Sequence, residues 1–226
     1  MLRALQHRRF AIAGRAGGGA APIPWYLSGG ISAENCIAAY QPKGAASFAA
    51  SKINIANPGT HDLTDGVAQV TFDTAVGWTS TNANTYLVTD ISPDSNTSLI
   101  VRYSQTTGFL FGSYRAGQST NFWLNPAYAG NVWAQLGTRE IYQPPSCASG
   151  IICISSDSKI YYNGSLYASF GTSNWSGSSY PIFFPGYNND GAINGVNALQ
   201  TIVCLAIYNI SLAPYIAALT AAMGGI

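Results

Sequence analysis

The sequence predicts an all-β fold, an antiparallel sandwich, on the basis of three observations. Only 8% of its 226 residues are charged, whereas glycine (24 residues) and tyrosine (14 residues) are abundant. Short runs of β-branched and aromatic residues recur along the chain with turn residues between them, a spacing typical of sandwiches and barrels. Glutamate occurs only at Glu34 and Glu140. This scarcity argues against a helix-rich protein, because exposed helical positions favour glutamate.

The strand predictions follow from these apolar runs. The clearest hairpin spans residues 161–167, where Asn163 and Gly164 supply the left-handed residues of a type I′ turn between two aromatic-rich strands. The segments predicted as strands are residues 68–72, 86–89, 98–103, 108–112, 121–124, 151–154, 159–162, 165–168, 181–184 and 199–208.

A short helix is predicted for residues 211–224. Ser211 is a suitable N-cap, and Pro214 falls in the first turn, where its missing N–H is harmless. Ile216, Leu219 and Met223 then recur at spacings of three and four residues, which places them on one helix face. The strands and this helix predict one domain over residues 25–226, preceded by a Gly- and Ala-rich arm over residues 1–24.

The arm is basic. It holds Arg3, Arg8, Arg9 and Arg15 and no acid, whereas the remainder has six basic and nine acidic residues. This asymmetry favours docking on a partner subunit, with an idle tail and nucleic-acid binding as alternatives. Four arginines are few for nucleic acid. We therefore expect an assembly anchor made of these arginines and the following aromatic pair, Trp25 and Tyr26.

No targeting or membrane segment is predicted. The arm lacks the continuous apolar run of a secretory signal, since glycines and an arginine interrupt it after Phe10. No run of about 20 apolar residues predicts a transmembrane helix either. The expectation is therefore a protein made in the cytoplasm of its host cell.

The four cysteines are Cys36, Cys147, Cys153 and Cys204. They form no C-x-x-C pair, which argues against zinc. Cys147 and Cys153 are spaced to face each other across a hairpin. The favoured interpretation is that Cys153 and Cys204, which lie in apolar runs, are buried free thiols.

The sequence contains no evident catalytic constellation. Glycosidases use two carboxylates that flank the scissile bond, and here Glu34 and Glu140 stand alone in segments without strand alternation. His61 beside Asp62 offers half of a relay, but no nucleophile elbow accompanies it, so a solvated loop histidine is favoured. We therefore expect no catalytic residue and a protein that is not an enzyme.

Four segments resemble, in order, motifs of the concanavalin A-like (laminin-G-like) jelly rolls. Their sequences are GWTSTNANTYL at residues 77–87, KIYYNGSL at 159–166, FFPGYNNDGA at 183–192 and IYNISLA at 207–213, the last followed by the predicted helix. With the opening WYLSGG at residues 25–30, the chain is similar to lectin-like proteins of bacteriophage virions.

The resemblance implies a jelly-roll β-sandwich with a short C-terminal helix. In many relatives an acidic residue precedes the strand at residues 207–208, but residues 201–205 here read TIVCL. The body's acids are also scattered singly, whereas calcium favours several carboxylates. We therefore expect no cofactor and no metal, and calcium is not supported.

Glycan binding is the ligand function that the resemblance suggests. Sugar sites combine an aromatic face with amide and hydroxyl groups and need little charge. Two loops fit this description, and they supply the candidate residues Trp175, Tyr180, Tyr187, Asn188, Asn189 and Asp190. Trp78, Trp123 and Trp133 are expected in the core instead.

The expected function is a virion structural protein on the surface of a phage capsid or tail. It would decorate or reinforce the particle, with weak adhesion to glycans, and its basic arm would hold it to other virion proteins or to copies of itself. The alternative is a cellular carbohydrate-binding lectin or adhesin, followed by a glycan-degrading enzyme.

Overall fold

The computed structural model describes residues 22–82, 84–115, 119–172, 175–194 and 199–226. The strands are β1 (Cys36–Tyr40), β2 (Thr64–Asp65), β3 (Thr71–Asp73), β4 (Gly77–Ser80), β5 (Leu87–Val88), β6 (Ser98–Gln105), β7 (Phe111–Tyr114), β8 (Phe122–Tyr128), β9 (Asn131–Leu136), β10 (Arg139–Gln143), β11 (Gly150–Ser155), β12 (Lys159–Tyr162), β13 (Ser165–Ser169), β14 (Phe183–Phe184), β15 (Tyr187–Asn189), β16 (Ala192–Asn194) and β17 (Gln200–Tyr208). The helices are α1 (Phe48–Ser51) and α2 (Ile216–Gly224), and 3₁₀ turns span Trp25–Leu27 and Ala33–Asn35.

The strands form two stacked sheets. The first, called the helix-side sheet, has the order β13-β12-β11-β6-β17-β4-β3, and β1 also pairs with β17. The second, called the open sheet, has the order β10-β9-β8-β7-β14-β5-β2, extended by β15 and β16. The pairings are antiparallel except for β15 with β7 and an isolated bridge between Ala68 and Thr85. This architecture confirms the predicted all-β jelly-roll sandwich with a short C-terminal helix.

Strand β17 lies within the helix-side sheet, and all nine of its residues are buried. Successive side chains of a strand point to opposite faces, so both faces of β17 must be covered. Leu205 and Ile207 face the core between the sheets, whereas Ala206 and Tyr208 face a second apolar cluster under α2. The apolar run at residues 202–208 is thus explained by cover on both sides.

Helix α2 begins later than predicted. It starts at Ile216, and the Ser211 hydroxyl accepts a hydrogen bond from the Ala213 amide before the helix rather than capping it. The predicted apolar face is confirmed, since Ile216, Leu219 and Met223 are all buried against the sheet.

The predicted hairpin is also confirmed. Strands β12 and β13 pair around Asn163 and Gly164, whose φ angles of 47° and 83° are those a type I′ turn requires. Several strands were missed, among them β1, β4, β9 and β10. Glu140 therefore lies in a strand, contrary to the expectation that its segment has none.

The aromatic pair Trp25 and Tyr26 packs within its own chain. Both are half-buried against the cluster under α2, the Tyr26 hydroxyl donates to the Ile55 carbonyl at 3.1 Å, and Tyr208 donates to the Tyr26 carbonyl at 2.9 Å. Part of their apolar surface is therefore used inside this chain, and their assignment to an assembly anchor stays a prediction. The four arginines of the arm lie outside the described residues. No helix in the described ranges combines the length and apolarity needed to cross a membrane.

All four cysteines are buried free thiols. Cys147 belongs to the core between the sheets, whereas Cys153 faces the cluster under α2, so the two do not meet across a hairpin. Burial raises the pKa of Cys36 to about 12, that of Cys147 to about 11 and that of Cys204 to about 12. Burial likewise raises the pKa of Cys153.

We expect the native protein to resist thiol labelling. An aromatic disulfide reagent at mildly alkaline pH should leave the thiols unmodified for hours, because burial blocks access and disfavours the reactive thiolate. In denaturant all four should react. Ser165→Cys, on an exposed position of β13, is the control and should react at once. Rapid native labelling of Cys153 would contradict the docking of α2.

Candidate functional site

The open sheet carries an aromatic cleft on the face turned away from the core. Along β8, Phe122 and Leu124 point into the core, so Trp123 points outward. Along β9, Val132, Ala134 and Leu136 point inward. Trp133 and Gln135 therefore share the outer face with Trp123.

Strand register brings these side chains into rows across the sheet. Gly112, Trp123, Gln135 and Glu140 are successive partners on β7, β8, β9 and β10. A neighbouring row contains Trp133 and Tyr142, which are partners on β9 and β10. Residues from four strands thus form one continuous surface.

Gly112 makes room for the rings. A Cβ atom at this position would lie 2.3 Å from the Trp123 Cβ and 2.8 Å from the Tyr187 Cβ, distances too short for any side chain. Tyr187 comes from β15, which pairs with β7 in parallel. The missing side chain therefore lets two aromatic residues from distant parts of the chain approach over β7.

The rings form a connected cluster. The Trp123 and Trp133 centroids are 4.8 Å apart with planes at 78°, and Trp123 lies 6.3 Å from Tyr187 with planes at 30°. Phe109 is 4.5 Å from Tyr187 and 5.2 Å from Trp123. Such offset and edge-to-face contacts hold each ring in place.

Polar groups line the same cleft. The Trp123 Nε1 donates to Gln135 Oε1 at 3.1 Å, and Gln135 Nε2 donates to the Gly137 carbonyl at 3.0 Å. The Trp133 Nε1 donates to Glu140 Oε1, while the Glu140 side chain stays exposed. The cleft has a volume of about 740 Å³ and is lined by Phe109, Tyr114, Ser119, Asn121, Trp123, Trp133, Gln135, Thr138, Glu140 and Tyr187.

These groups suit a ligand with both apolar faces and hydroxyls. Burial, with a smaller contribution from Tyr114, raises the pKa of Tyr187, so its phenol stays protonated and able to donate. Carboxylate and amide oxygens accept hydrogen bonds, and the indole faces offer flat apolar surface. The cleft can therefore stack a ring and bond its substituents.

Two of the predicted glycan-binding residues are not available to a ligand. Trp175 is only 7% exposed and stacks on Phe122 at 5.3 Å with planes at 13°, so it belongs to the core. Asn188 is 1% exposed. Its Nδ2 donates to the Pro181 carbonyl and its Oδ1 accepts from the Gly191 amide, which makes it a turn-stabilising residue.

The other predicted residues lie at or beside the cleft. Tyr187 lines it directly. Tyr180 and Asp190 flank Arg115, whose guanidinium lies 5.9 Å from the Tyr180 ring centroid and 3.9 Å from Asp190 Oδ1. Asn189 is half-buried in β15. Of the two proposed loops, the one containing Tyr187 is therefore the one that reaches the cleft.

Sequence reasoning missed most of the cleft by assigning its tryptophans to the core. Trp123 is indeed buried, yet its ring lies on the outer face beneath the cleft, and Trp133 is half-buried there. The signal was present in the alternation of residues 131–136, NVWAQL, where valine, alanine and leucine take the inward positions. This period of two assigns Trp133 and Gln135 to the opposite face.

His61 and Asp62 do not form a relay. His61 Nδ1 lies 2.6 Å from Asp90 Oδ1, whereas Asp62 Oδ1 accepts from the Asn54 amide at 2.8 Å. Asp62 thus helps to hold its own loop. Within the part of the chain that the structure describes, no three His, Cys, Asp or Glu side chains are grouped as metal ligands.

Comparison with known proteins shows the fold. No family model matches the chain, and no curated protein matches it. Among solved structures it is similar to Trypanosoma rangeli sialidase (TM-score 0.58, 12% identity, 82% of this chain and 32% of that chain). It is also similar to the receptor-binding domain of botulinum neurotoxin D (TM-score 0.57, 12% identity, 85% and 53%). The chain therefore spans about a third of the sialidase chain and about half of the chain of the neurotoxin receptor-binding domain.

The likeness shows a β-sandwich fold and corrects one expectation. The prediction that the protein is not an enzyme is wrong, since sialidases, which are enzymes, are among the structures that share the fold. The lack of closely spaced carboxylates in the sequence does not exclude glycan-degrading activity, because strand pairing can assemble a site from distant residues. The structure itself places Glu140 in the cleft.

We expect Gly112→Ala to disturb the cleft and lower stability. The added methyl group must displace Trp123 or Tyr187, and such overpacking costs about 1–3 kcal/mol. Thermal unfolding and tryptophan fluorescence measure the change. The control is Gly224→Ala in α2, where an added Cβ meets nothing within 4 Å. Equal stability of the two variants would show that the rings do not close over β7.

Proposed function

We propose that this protein binds glycans in the aromatic cleft of the open sheet. The observation that carries the proposal is the grouping of the half-buried rings of Trp133 and Tyr187 with Gln135 and Glu140 in one open cleft, above the buried ring of Trp123. Flat rings cover the apolar face of a sugar, and the amide and carboxylate take its hydroxyls. Each of these groups is held by strand register rather than by a loop.

The rigidity of the cleft supports binding. Both indole N–H groups and the Gln135 amide are already hydrogen-bonded inside the protein, so the rings need not reorganise when a ligand arrives. A preformed site loses less conformational entropy on binding. Exposed Glu140 keeps one carboxylate oxygen beyond its bond to Trp133 for a ligand hydroxyl.

The fold gives further support. One of the similar structures is a receptor-binding domain, and another holds a sialidase in complex with sialic acid. The receptor binding and the sialic acid are properties of those two proteins, each of which is 12% identical to this chain. For the present chain they support a glycan-binding role, as in the lectin or adhesin function considered from the sequence.

We further propose that the protein is displayed on the surface of a phage virion. This proposal is supported by the concentration of four arginines and no acid in residues 1–33, followed by a mildly acidic body. Such an arm suits an acidic face on a partner subunit. In this arrangement the sandwich would be held to the particle and leave its cleft free for glycans.

Trp133→Ala should weaken glycan binding at least about tenfold, because it removes the largest half-exposed ring of the cleft. Binding is measured on a glycan array and then by calorimetry with the best ligand. Glu140→Gln should have a smaller effect, since an amide oxygen can still accept from hydroxyls and from the Trp133 indole. Sugar release is followed in the same samples, because sialidases share the fold.

The matched control is Leu166→Ala, which truncates a side chain 58% exposed on β13 of the other sheet. It should bind like the unchanged protein. If Trp133→Ala folds normally and binds the same ligand with unchanged affinity, glycan recognition by this cleft is refuted.

Removal of residues 1–24 should abolish incorporation into particles while leaving glycan binding intact. Electrophoresis of purified virions reports the first effect and the glycan array the second. Replacing Arg3, Arg8, Arg9 and Arg15 by glutamine tests whether charge is the cause. Normal incorporation of the truncated protein would disprove the anchor.

A further inference from the structure

The aromatic surface extends beyond the cleft. Tyr128, at the end of β8, lies 4.7 Å from Trp133, and Tyr142 on β10 lies 6.3 Å from Tyr128, measured between ring centroids. At the other end, Tyr114 lies 5.7 Å from Tyr187. A continuous line of rings therefore runs from Tyr114 through the cleft to Tyr142.

The outermost rings contribute little to the core. Tyr128 and Tyr142 are 45% and 54% exposed, and neither belongs to an apolar core cluster. Register nevertheless sets Tyr142 directly opposite Trp133 on the neighbouring strand. Large exposed rings lined up beside a cleft form a contiguous apolar patch, and such patches mark interaction surfaces.

The dimensions of the surface exceed those of one sugar. The rows cross β7, β8, β9 and β10, and three inter-strand steps of about 4.8 Å give a width of roughly 14 Å. The rings at the two ends, Tyr114 and Tyr142, cannot touch the same pyranose. A ligand that uses both ends must be a chain of linked sugars.

The charges near the cleft argue against an acidic ligand. Among the described residues that line it, Glu140 is the one charged side chain. Arg115, which follows β7, and Arg139, at the start of β10, do not line the cleft. Arg115 lies beside Asp190 and over Tyr180, and Arg139 Nε donates to the Thr172 carbonyl at 3.3 Å. A carboxylate on a sugar in the cleft would meet Glu140, and none of the described lining residues is a cation that could balance the two charges.

We infer that the line of rings from Tyr114 to Tyr142 binds an extended, uncharged oligosaccharide, with several sugar units in contact at once. This inference rests on the proposed glycan-binding function and names its ligand class. The cleft takes one unit against the half-buried rings of Trp133 and Tyr187, which lie above the buried Trp123. The exposed faces of Tyr128 and Tyr142 take the units that follow along the chain.

The test is an array of linear glycans in matched lengths of one, two, four and six units, in neutral and acidic series. Affinity should rise at least about tenfold from one to four neutral units, as additional rings are engaged. Acidic chains of the same length should bind more weakly. The double variant Tyr128→Ala with Tyr142→Ala should keep the affinity for one unit and lose the gain with length.

The double variant Tyr128→Phe with Tyr142→Phe keeps the rings and should retain the gain, which separates stacking from loss of the hydroxyls. Thermal unfolding checks that all variants fold. Binding that depends on Trp133 but not on length, or that favours acidic chains, would overturn this inference alone. Absence of binding at every length would overturn the glycan-binding function as well.

Discussion

Burial of β17 on both faces is the constraint on which the rest of the structure depends. A strand with nine buried residues needs the open sheet on one side and α2 on the other. The Arg102 side chain, on the neighbouring β6, donates to the carbonyls of Met223 and Gly224 at the end of α2. These bonds and the apolar contacts hold the helix over the outer face of the helix-side sheet. The outer face of the other sheet is left to carry the cleft.

The sequence predicted strands best in two settings: in buried apolar runs, such as β17 and β11, and beside the recognisable Asn-Gly turn that joins β12 to β13. Strand β12 was predicted at its exact bounds, and β17 and β11 to within one residue at each end. Strands β9 and β10 were missed because neither forms a continuous apolar run: β9 alternates inward apolar with outward residues, and Ile141 is the one buried residue of β10. The start of α2 was misplaced because Ser211 and Pro214 suit a helix start, while the chain makes one further turn before Ile216.

The site could be predicted only in part. Tyr187 was named from its loop, but Trp123 and Trp133 were assigned to the core because large aromatic residues are usually buried. Whether an aromatic side chain points into the core or outward depends on its odd or even position along the strand. Which aromatic side chains then lie next to each other depends on the register between β7, β8, β9 and β10. The sequence around Gly112 does not indicate that two aromatic residues pack over this glycine. Their approach results from the pairing of β7 with β15, which is distant in the sequence.

The 3₁₀ turn at Trp25–Leu27 packs beside α2, on the outer side of the helix-side sheet. The aromatic cleft opens on the outer side of the opposite sheet. The first described residues and the aromatic cleft therefore lie on opposite flat sides of the sandwich. A copy tethered by its N-terminus to a particle or a neighbouring domain would present its row of rings outward. Many copies fixed in this way would offer parallel weak sites to one surface, so that avidity rather than the affinity of a single cleft would govern attachment.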